Sequence, residues 1–199
     1  MLTEVAPVAS DRLPITELRD HLRLGSGFSD VGAEDVALEA YLRAAIALIE
    51  QRISKALLSR AFLFHLRHWA NPDAQPLPLA PLSSVTQVAL RGADDGLTVL
   101  EEASYRLMPD GVRPVLLALG AAFPQVEHGG MIEITVEAGF GTAWETVPPD
   151  LRQAVMLLAA HYFEHRHESE QSGALPFGVS SLIEPWRVVR LFGGKGRRS

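Results

Sequence analysis

Five consecutive residues in the last quarter of the chain, His161 to His165, match the pattern H-x-x-E-H. In inverted zinc proteases two histidines one helical turn apart hold the metal, and the glutamate polarises a water molecule. A catalytic zinc ion also needs a third protein ligand, and the later acids, Glu168, Glu170 and Glu184, all lie on or near the same short segment. Histidines are also favoured at a helix C-terminus by the negative end of its dipole. We therefore predict no metal, no cofactor and no catalytic residue, with a small zinc-dependent hydrolase that uses His161, Glu164 and His165 as an alternative.

The glycine clusters do not complete a nucleotide-binding motif. Gly139-Phe140-Gly141 follows a predicted strand but lacks the third glycine and the helix of a dinucleotide fingerprint. Gly193-Gly194-Lys195-Gly196 lacks the earlier glycine and the hydroxyl residue of a phosphate loop. Asp94-Asp95-Gly96 and Asp110-Gly111 have the composition of turns rather than of calcium loops. These segments predict turns and a flexible chain end.

Composition indicates a globular protein with a single core. The chain has 199 residues, of which 47% are hydrophobic and 21% are charged. It contains no cysteine, which excludes disulfides, a thiolate nucleophile and cysteine-ligated metals. Charges or prolines interrupt each apolar run well short of a membrane span, so we expect no membrane partner and synthesis in the cytoplasm.

Charge is distributed unevenly along the chain. The formal net charge is −6, yet the last thirteen residues carry five basic side chains and no acid, so the first 186 residues carry −11. An acidic body is poorly suited to binding duplex DNA, whose phosphates must be neutralised. The basic end could contact phosphate or an acidic protein surface, so a scaffold with a nucleic-acid-binding tail is a second alternative. The basic residues are Arg187, Arg190, Lys195, Arg197 and Arg198.

The elements that position these residues begin with a helical region. We expect a loose leader over residues 1–14, then a short helix capped by Thr16 and ending near Leu24. A second helix begins at Ser29 or Asp30 and completes the N-terminal helices of residues 15–58. Its apolar residues recur at helical spacing on one face: Leu38, Leu42, Ala45, Ile49 and Ile53.

From about Arg60 the apolar period changes to two, which predicts strands over an inserted β region of residues 60–146. Turn signals separate the segments at short intervals, a pattern that favours an antiparallel meander. The predicted strands are residues 62–66, 85–90, 105–108, 112–119 and 131–138.

A long helix follows the β region. Pro149 suits its first position and Asp150 complements the positive end of the dipole. Apolar side chains occur on both sides of this helix, so it must be covered by its own domain or by another subunit, which indicates oligomerisation. We expect C-terminal helices over residues 148–184 to pack with residues 15–58 as one domain. The fold class is therefore α+β: a helical bundle of N- and C-terminal helices with an inserted antiparallel β-sheet region and a C-terminal docking tail, residues 185–199.

The order of these elements and four local motifs resemble the head-to-tail connector, or adaptor, proteins of long-tailed bacteriophages and phage-derived gene transfer agents. The resemblance runs from about Ile15 to Leu191 and is most specific in the last fifty residues. The motifs are Ala138 to Gly141, Val147 to Ala154, His161 to Glu164, and Leu175-Pro176-Phe177-Gly178 leading to Trp186–Leu191. The residues leave open whether the source is an infectious phage or a gene transfer agent.

This resemblance implies a structural protein of the virion neck, assembled in the bacterial cytoplasm as a twelve-fold ring. The ring would dock on the portal protein and join the head to the next neck or tail component, a stopper or tail terminator, with DNA passing through as cargo. By position the portal-binding segment would be Trp186, Arg187, Val188, Val189, Arg190, Leu191 and Phe192, directed by a turn at Pro176-Phe177-Gly178.

Two further expectations come from the residues themselves. The tail mixes aromatic, aliphatic and arginine side chains, which are typical of binding hot spots, although it could instead fold back onto its own subunit. A closed ring of identical chains requires contacts between different patches. The outer helix faces are candidates for these contacts, including Met156, Leu157 and Phe163.

Overall fold

A computed structural model describes residues 1–24, 31–166 and 175–187, and for residues 31–33 it describes the backbone only. In these residues, four α-helices lie toward the two ends of the chain and eight strands lie mainly between them, which confirms the α+β class. Within the described ranges, no helix combines the length and apolar character needed to cross a membrane. The helices are α1 (Ile15–His21), α2 (Val31–Ile53), α3 (Pro149–Glu164) and α4 (Phe177–Ile183).

Helix α2 buries the face that its sequence predicts. Every member of that face is fully buried: Leu38, Leu42, Ala45, Ile49 and Ile53. Spacings of three and four place these side chains on one stripe, so a single packing direction covers all of them. The predicted start at Ser29 or Asp30 lies outside the described residues.

Helix α3 is the centre of the helical core. It begins at Pro149, as predicted, with Asp150 in its first turn. Helices α1, α2 and α4 all contact it, and the buried residues of all four helices form one cluster. Most apolar residues on both sides of α3 are therefore covered within the subunit, while Leu157 and Phe163 are partly exposed.

The β region forms two antiparallel sheets. The larger has the order β1-β2-β8-β4-β5 and the smaller the order β3-β7-β6. Antiparallel pairing was expected, but the meander was wrong because β8 lies between β2 and β4 instead of beside its neighbours in sequence. The strands are β1 (Leu2–Glu4), β2 (Arg60–Leu66), β3 (Ala74–Pro76), β4 (Leu82–Arg91), β5 (Leu97–Val99), β6 (Tyr105–Met108), β7 (Val115–Ala118) and β8 (Met131–Ala138).

The central position of β8 follows from its alternating side chains. Ile132, Ile134, Val136 and Ala138 are all buried, while the residues between them are partly exposed. A strand with one fully buried face gains most when both of its edges are also paired. Strand β8 pairs with β2 along its length on one side and with β4 on the other.

The N-terminal residues are ordered, so the predicted loose leader was wrong. Strand β1 pairs with the free edge of β2, with Leu2 opposite Phe64. Val8 and Leu13 are buried in the helical core. Apolar burial and edge pairing together offset the entropy of ordering this segment.

Helix α1 is shorter than predicted and is not capped by Thr16. It begins at Ile15 with Pro14 at the N-cap position, no side chain caps it, and it ends at His21. Proline fixes the backbone angle φ before the first turn, and this restricts the entry of the chain without a hydroxyl cap. Leu18 is fully buried, and Leu22 is partly buried.

The Gly139-Phe140-Gly141 segment brings the sheet and the helices together. Gly139 has a φ of +140°, and a Cβ atom there would lie 2.3 Å from the backbone nitrogen of Ser59. The backbone N–H of Phe140 donates to the carbonyl of Leu57 at 3.1 Å, and that of Ser59 donates to the carbonyl of Gly141 at 2.7 Å. These glycines therefore permit a close approach of two backbones.

Candidate docking and assembly surfaces

A short helical unit ends the described part of the chain. Helix α4 is followed directly by a 3-10 turn over Glu184–Trp186. Val179 and Ile183, four residues apart on α4, are buried in the helical core against α3. This unit fixes the point from which the chain continues toward its end.

A helix begins at Phe177, within the Pro176-Phe177-Gly178 segment for which the residues predict a turn. Pro176 occupies the N-cap position of α4, and its carbonyl accepts the backbone N–H of Ser180 at 3.0 Å. The apolar residues Val179, Leu182 and Ile183 carry the helical spacing that could have revealed this element.

Trp186 is held against its own subunit by two contacts. Its indole N–H donates to the Asp150 carboxylate at 2.5 Å, in the first turn of α3. Its ring meets Phe140 edge to face, with 5.6 Å between the ring centroids. The side chain is partly buried against the helical core. Trp186 therefore anchors the start of the predicted portal-binding segment, which the sequence alone did not indicate.

Arg187 is the last described residue, and its side chain is exposed. It forms an ion pair with Glu184 three residues earlier, at 2.9 Å. An exposed pair of this kind contributes little to stability, so the guanidinium is available to a partner at small cost. The remaining members of the predicted portal-binding segment lie outside the described residues: Val188, Val189, Arg190, Leu191 and Phe192.

The three predicted ring contacts differ in what they present to the surface. Met156 is only 6% exposed and lies in the subunit's own core, so its placement on an outer helix face was wrong. Leu157 and Phe163 are partly exposed and border that core. Phe163 meets Tyr41 edge to face at 6.2 Å and lies beneath the Arg166 guanidinium at 4.5 Å. Of the three predicted ring contacts, Leu157 and Phe163 are the two with exposed surface.

Phe177 is an apolar surface residue that is not among the contact residues predicted from the sequence. It is 87% exposed at the first position of α4. The adjacent Gly178 lies beside Leu157, whose Cδ1 would be 3.6 Å from a Cβ atom built on the glycine. Phe177 and Leu157 thus belong to neighbouring parts of the surface formed by α3 and α4.

The histidines of the H-x-x-E-H pattern lie together at the end of α3. The rings of His161 and His165 are 4.1 Å apart, and His165 Nδ1 is 2.9 Å from the His161 carbonyl oxygen. Across residues 1–24, 31–166 and 175–187, no cluster of three metal-binding side chains occurs. The described geometry is that of a helix C-terminus, where ring nitrogens contact terminal carbonyls.

The sheet surface carries a cross-strand group of charged residues. Arg91 on β4 donates to Glu133 on β8 at 2.6 Å, and His65 on β2 lies 3.7 Å from the same carboxylate. The hydrogen bond from Arg91 lowers the pKa of Glu133 below its ordinary value of 4.5. This arrangement joins three adjacent strands and accounts for His65 as part of a sheet face.

Chains similar to this one occur in gene transfer agent particles. No family model and no curated protein matches the chain. It is 52% identical to a chain from the neck of an empty gene transfer agent particle computed with C6 symmetry, over 98% of this chain and all of that one, with a TM-score of 0.87. It is also 52% identical to a chain from the virion of a native gene transfer agent particle, over 98% of both chains, with a TM-score of 0.84.

A third similar chain comes from the neck of a native gene transfer agent particle computed with C12 symmetry. The identity is 47% over 98% of this chain and all of that chain, with a TM-score of 0.83. These relatives are structural components of particles, and the protein is a structural protein of the virion neck. The chain belongs to the family of head-to-tail connector proteins of gene transfer agents and long-tailed bacteriophages.

Proposed function

We propose that the protein is a head-to-tail adaptor subunit whose copies form a twelve-fold ring docked on the portal protein. The ring joins the DNA-filled head to the next neck component, a stopper or tail terminator, and DNA passes through its centre. The observation that carries this proposal is the identity of 47% over 98% of the chain to a component of a neck computed with C12 symmetry.

The described contacts support docking through the end of the chain. Trp186 is fixed to α3 through Asp150, so the residues that follow start from a defined position. Those residues, Val188 to Phe192, combine aliphatic, aromatic and arginine side chains, the types that dominate binding hot spots. A ring presents many copies of this short segment, and their simultaneous engagement raises the overall affinity.

Trp186 and Arg187 have different roles in this proposal. Trp186 positions the segment, because it is partly buried against its own subunit. Arg187 begins the part that contacts the portal, since its side chain is exposed. Leu157 and Phe163 contribute to the contact between adjacent subunits, which joins different patches of the same chain.

The test removes the portal-binding residues without disturbing the anchor. A truncation that ends at Arg187 retains Trp186 and its contacts with Asp150 and Phe140. A matched truncation that ends at Phe192 removes only the glycine-rich basic end, residues 193–199. Each is mixed with the portal protein of the same particle, and complex formation is followed by native mass spectrometry.

We expect the chain ending at Phe192 to assemble on the portal with about the wild-type affinity. The chain ending at Arg187 should keep the wild-type melting temperature but lose portal binding. Equal binding by both truncations would contradict docking through Val188 to Phe192. Loss of binding in both would instead assign the interaction to the basic end.

A further inference from the structure

A cavity lined by three arginines lies where the helical core meets the smaller sheet. Its volume is about 580 Å³. Arg52 comes from the last turn of α2, Arg113 from the segment before β7, and Arg187 from the end of the described chain. The rest of the lining consists of Ser54 with proline and aliphatic side chains, and no carboxylate lines it.

The positive charge of this cavity is only partly offset by nearby carboxylates. Arg52 and Arg113 form no ion pair with any described residue, whereas Arg187 pairs with Glu184 at its exposed edge. Guanidinium groups bind carboxylates and phosphates through paired N–H donors. A cavity with three of them, in a chain whose net charge is −6, is suited to an anionic partner.

A buried lysine fixes the rim that carries Arg113. Lys55 is 3% exposed, and its Nζ donates to the carbonyl of Gly111. The Asp110 carboxylate accepts the backbone N–H groups of Val112 and Arg113, at 2.7 Å and 2.6 Å. Asp110 is engaged by its own turn, and its charge interacts with both Lys55 and Arg113, so it offsets part of the positive charge of Arg113.

Charge decides among the partners that could occupy this cavity. The chain's own segment after Arg187 is unsuitable because it carries four basic residues and no acid. Duplex DNA is disfavoured because it is a continuous polyanion that would lie along an extended part of a body whose first 186 residues carry −11. A second copy of this chain, which has 24 acidic residues, can instead present single carboxylates to the cavity in a local contact, and a ring requires contacts between different patches.

We propose that the cavity formed by Arg52, Arg113 and Arg187 receives a carboxylate-bearing surface of the adjacent subunit. This inference rests on the proposed ring. It assigns to ring closure a charged contact that shares Arg187 with the segment proposed to bind the portal. Because Arg52 and Arg113 are exposed, the contact can form without rearrangement of the subunit.

The test reverses the charge of two cavity arginines and compares this variant with one in which two arginines elsewhere on the surface are reversed. The test variant is Arg52→Glu with Arg113→Glu, and the control is Arg67→Glu with Arg106→Glu. All four side chains are exposed and unpaired among the described residues, so the two variants have the same net charge and similar folding demands. A neutral variant, Arg52→Gln with Arg113→Gln, separates the loss of positive charge in the cavity from repulsion caused by the added negative charge. Ring formation on the portal is followed by native mass spectrometry across protein concentration.

We expect the test variant to require a concentration about ten-fold or more above that of the wild type for half-complete rings. The neutral variant should fall between them and the control should match the wild type. Assembly of the test variant at the wild-type concentration would overturn the inference while leaving the adaptor proposal intact. Normal rings with weakened binding to duplex DNA would overturn it in favour of a phosphate site. Failure of the wild type itself to form rings would contradict both this inference and the adaptor proposal.

Discussion

Replacing Trp186 with alanine should destabilise the isolated subunit, although this residue begins the segment proposed to bind another protein. The substitution removes the indole N–H bond to Asp150 and the edge-to-face contact with Phe140. A fully buried tryptophan truncated to alanine costs about 3–5 kcal/mol. Trp186 is only partly buried, so we expect about 2–3 kcal/mol, made up of one charged hydrogen bond, one aromatic pair and partial apolar burial.

Two further variants divide this cost. Trp186→Phe keeps an aromatic ring near Phe140 but removes the donor, so it should cost about 1–2 kcal/mol. Asp150→Asn keeps an oxygen acceptor in the first turn of α3 but removes the charge. A double-mutant cycle between these two substitutions should give a coupling energy of about 1 kcal/mol, because both act on the same hydrogen bond.

Urea unfolding followed by far-ultraviolet circular dichroism measures these differences, with an unchanged slope showing that the folded and unfolded states keep their compactness. For Trp186→Ala the melting temperature should fall by about 4–12 °C in a domain of this size. A change smaller than about 0.5 kcal/mol would refute the anchoring role. So would a cycle with no coupling, since the indole and carboxylate would then act independently.

Three other predictions concern the fold that supports this anchor. Gly139→Ala should lower the free energy of unfolding by more than about 3 kcal/mol, because the added Cβ would collide with the backbone at a residue with positive φ. Gly111→Ala should be nearly neutral, because there is open space around Gly111. Thermal unfolding of the two variants measures the difference. Leu151→Ala should cost about 2–5 kcal/mol in urea, because Leu151 is fully buried in the helical core. Glu133→Gln should reduce stability most at neutral pH, because Arg91 lowers the pKa of the Glu133 carboxylate in the folded state. The stabilisation that this carboxylate provides in the wild type is lost as the pH falls below 4.5. Urea unfolding at several pH values measures the difference.

Each of these predictions has an outcome that contradicts it. Equal melting temperatures for the two alanine variants would show that the backbone approach at Gly139 is not restrictive. A loss below about 1 kcal/mol at Leu151 would mean that the helical core collapses into the space left behind. If the difference in unfolding free energy between wild type and Glu133→Gln stayed constant across the acidic range, the Arg91 hydrogen bond would not favour the charged form of Glu133.

Periodicity along the chain predicts the elements whose burial is local. The buried face of α2 and the alternation in β8 both follow from residue spacing, and Pro149 marks the start of α3. These features depend on residues within one or two turns or along one strand. The sequence therefore contains the information needed to recognise them without knowledge of their partners.

Pairings between distant residues could not be derived in the same way. Strand β8 pairs with β2, about seventy residues earlier, and many arrangements of short strands satisfy the same alternation. Met156 appears on an outer face when α3 is considered alone, yet α3 is surrounded by three other helices. The contact between Trp186 and Asp150 joins residues 36 positions apart, and neither residue type specifies the other.

The proposed docking and ring contacts meet at the end of the described chain. Trp186 attaches this point to α3, and Arg187, the next residue, lines the basic cavity. A portal that engages the segment after Arg187 therefore acts directly beside the surface that receives the adjacent subunit. Any gain in order at Arg187 on portal binding favours the subunit contact, and reciprocity requires that subunit contact favours portal binding by the same factor. Under the two proposals, portal binding and ring closure are therefore coupled through Arg187.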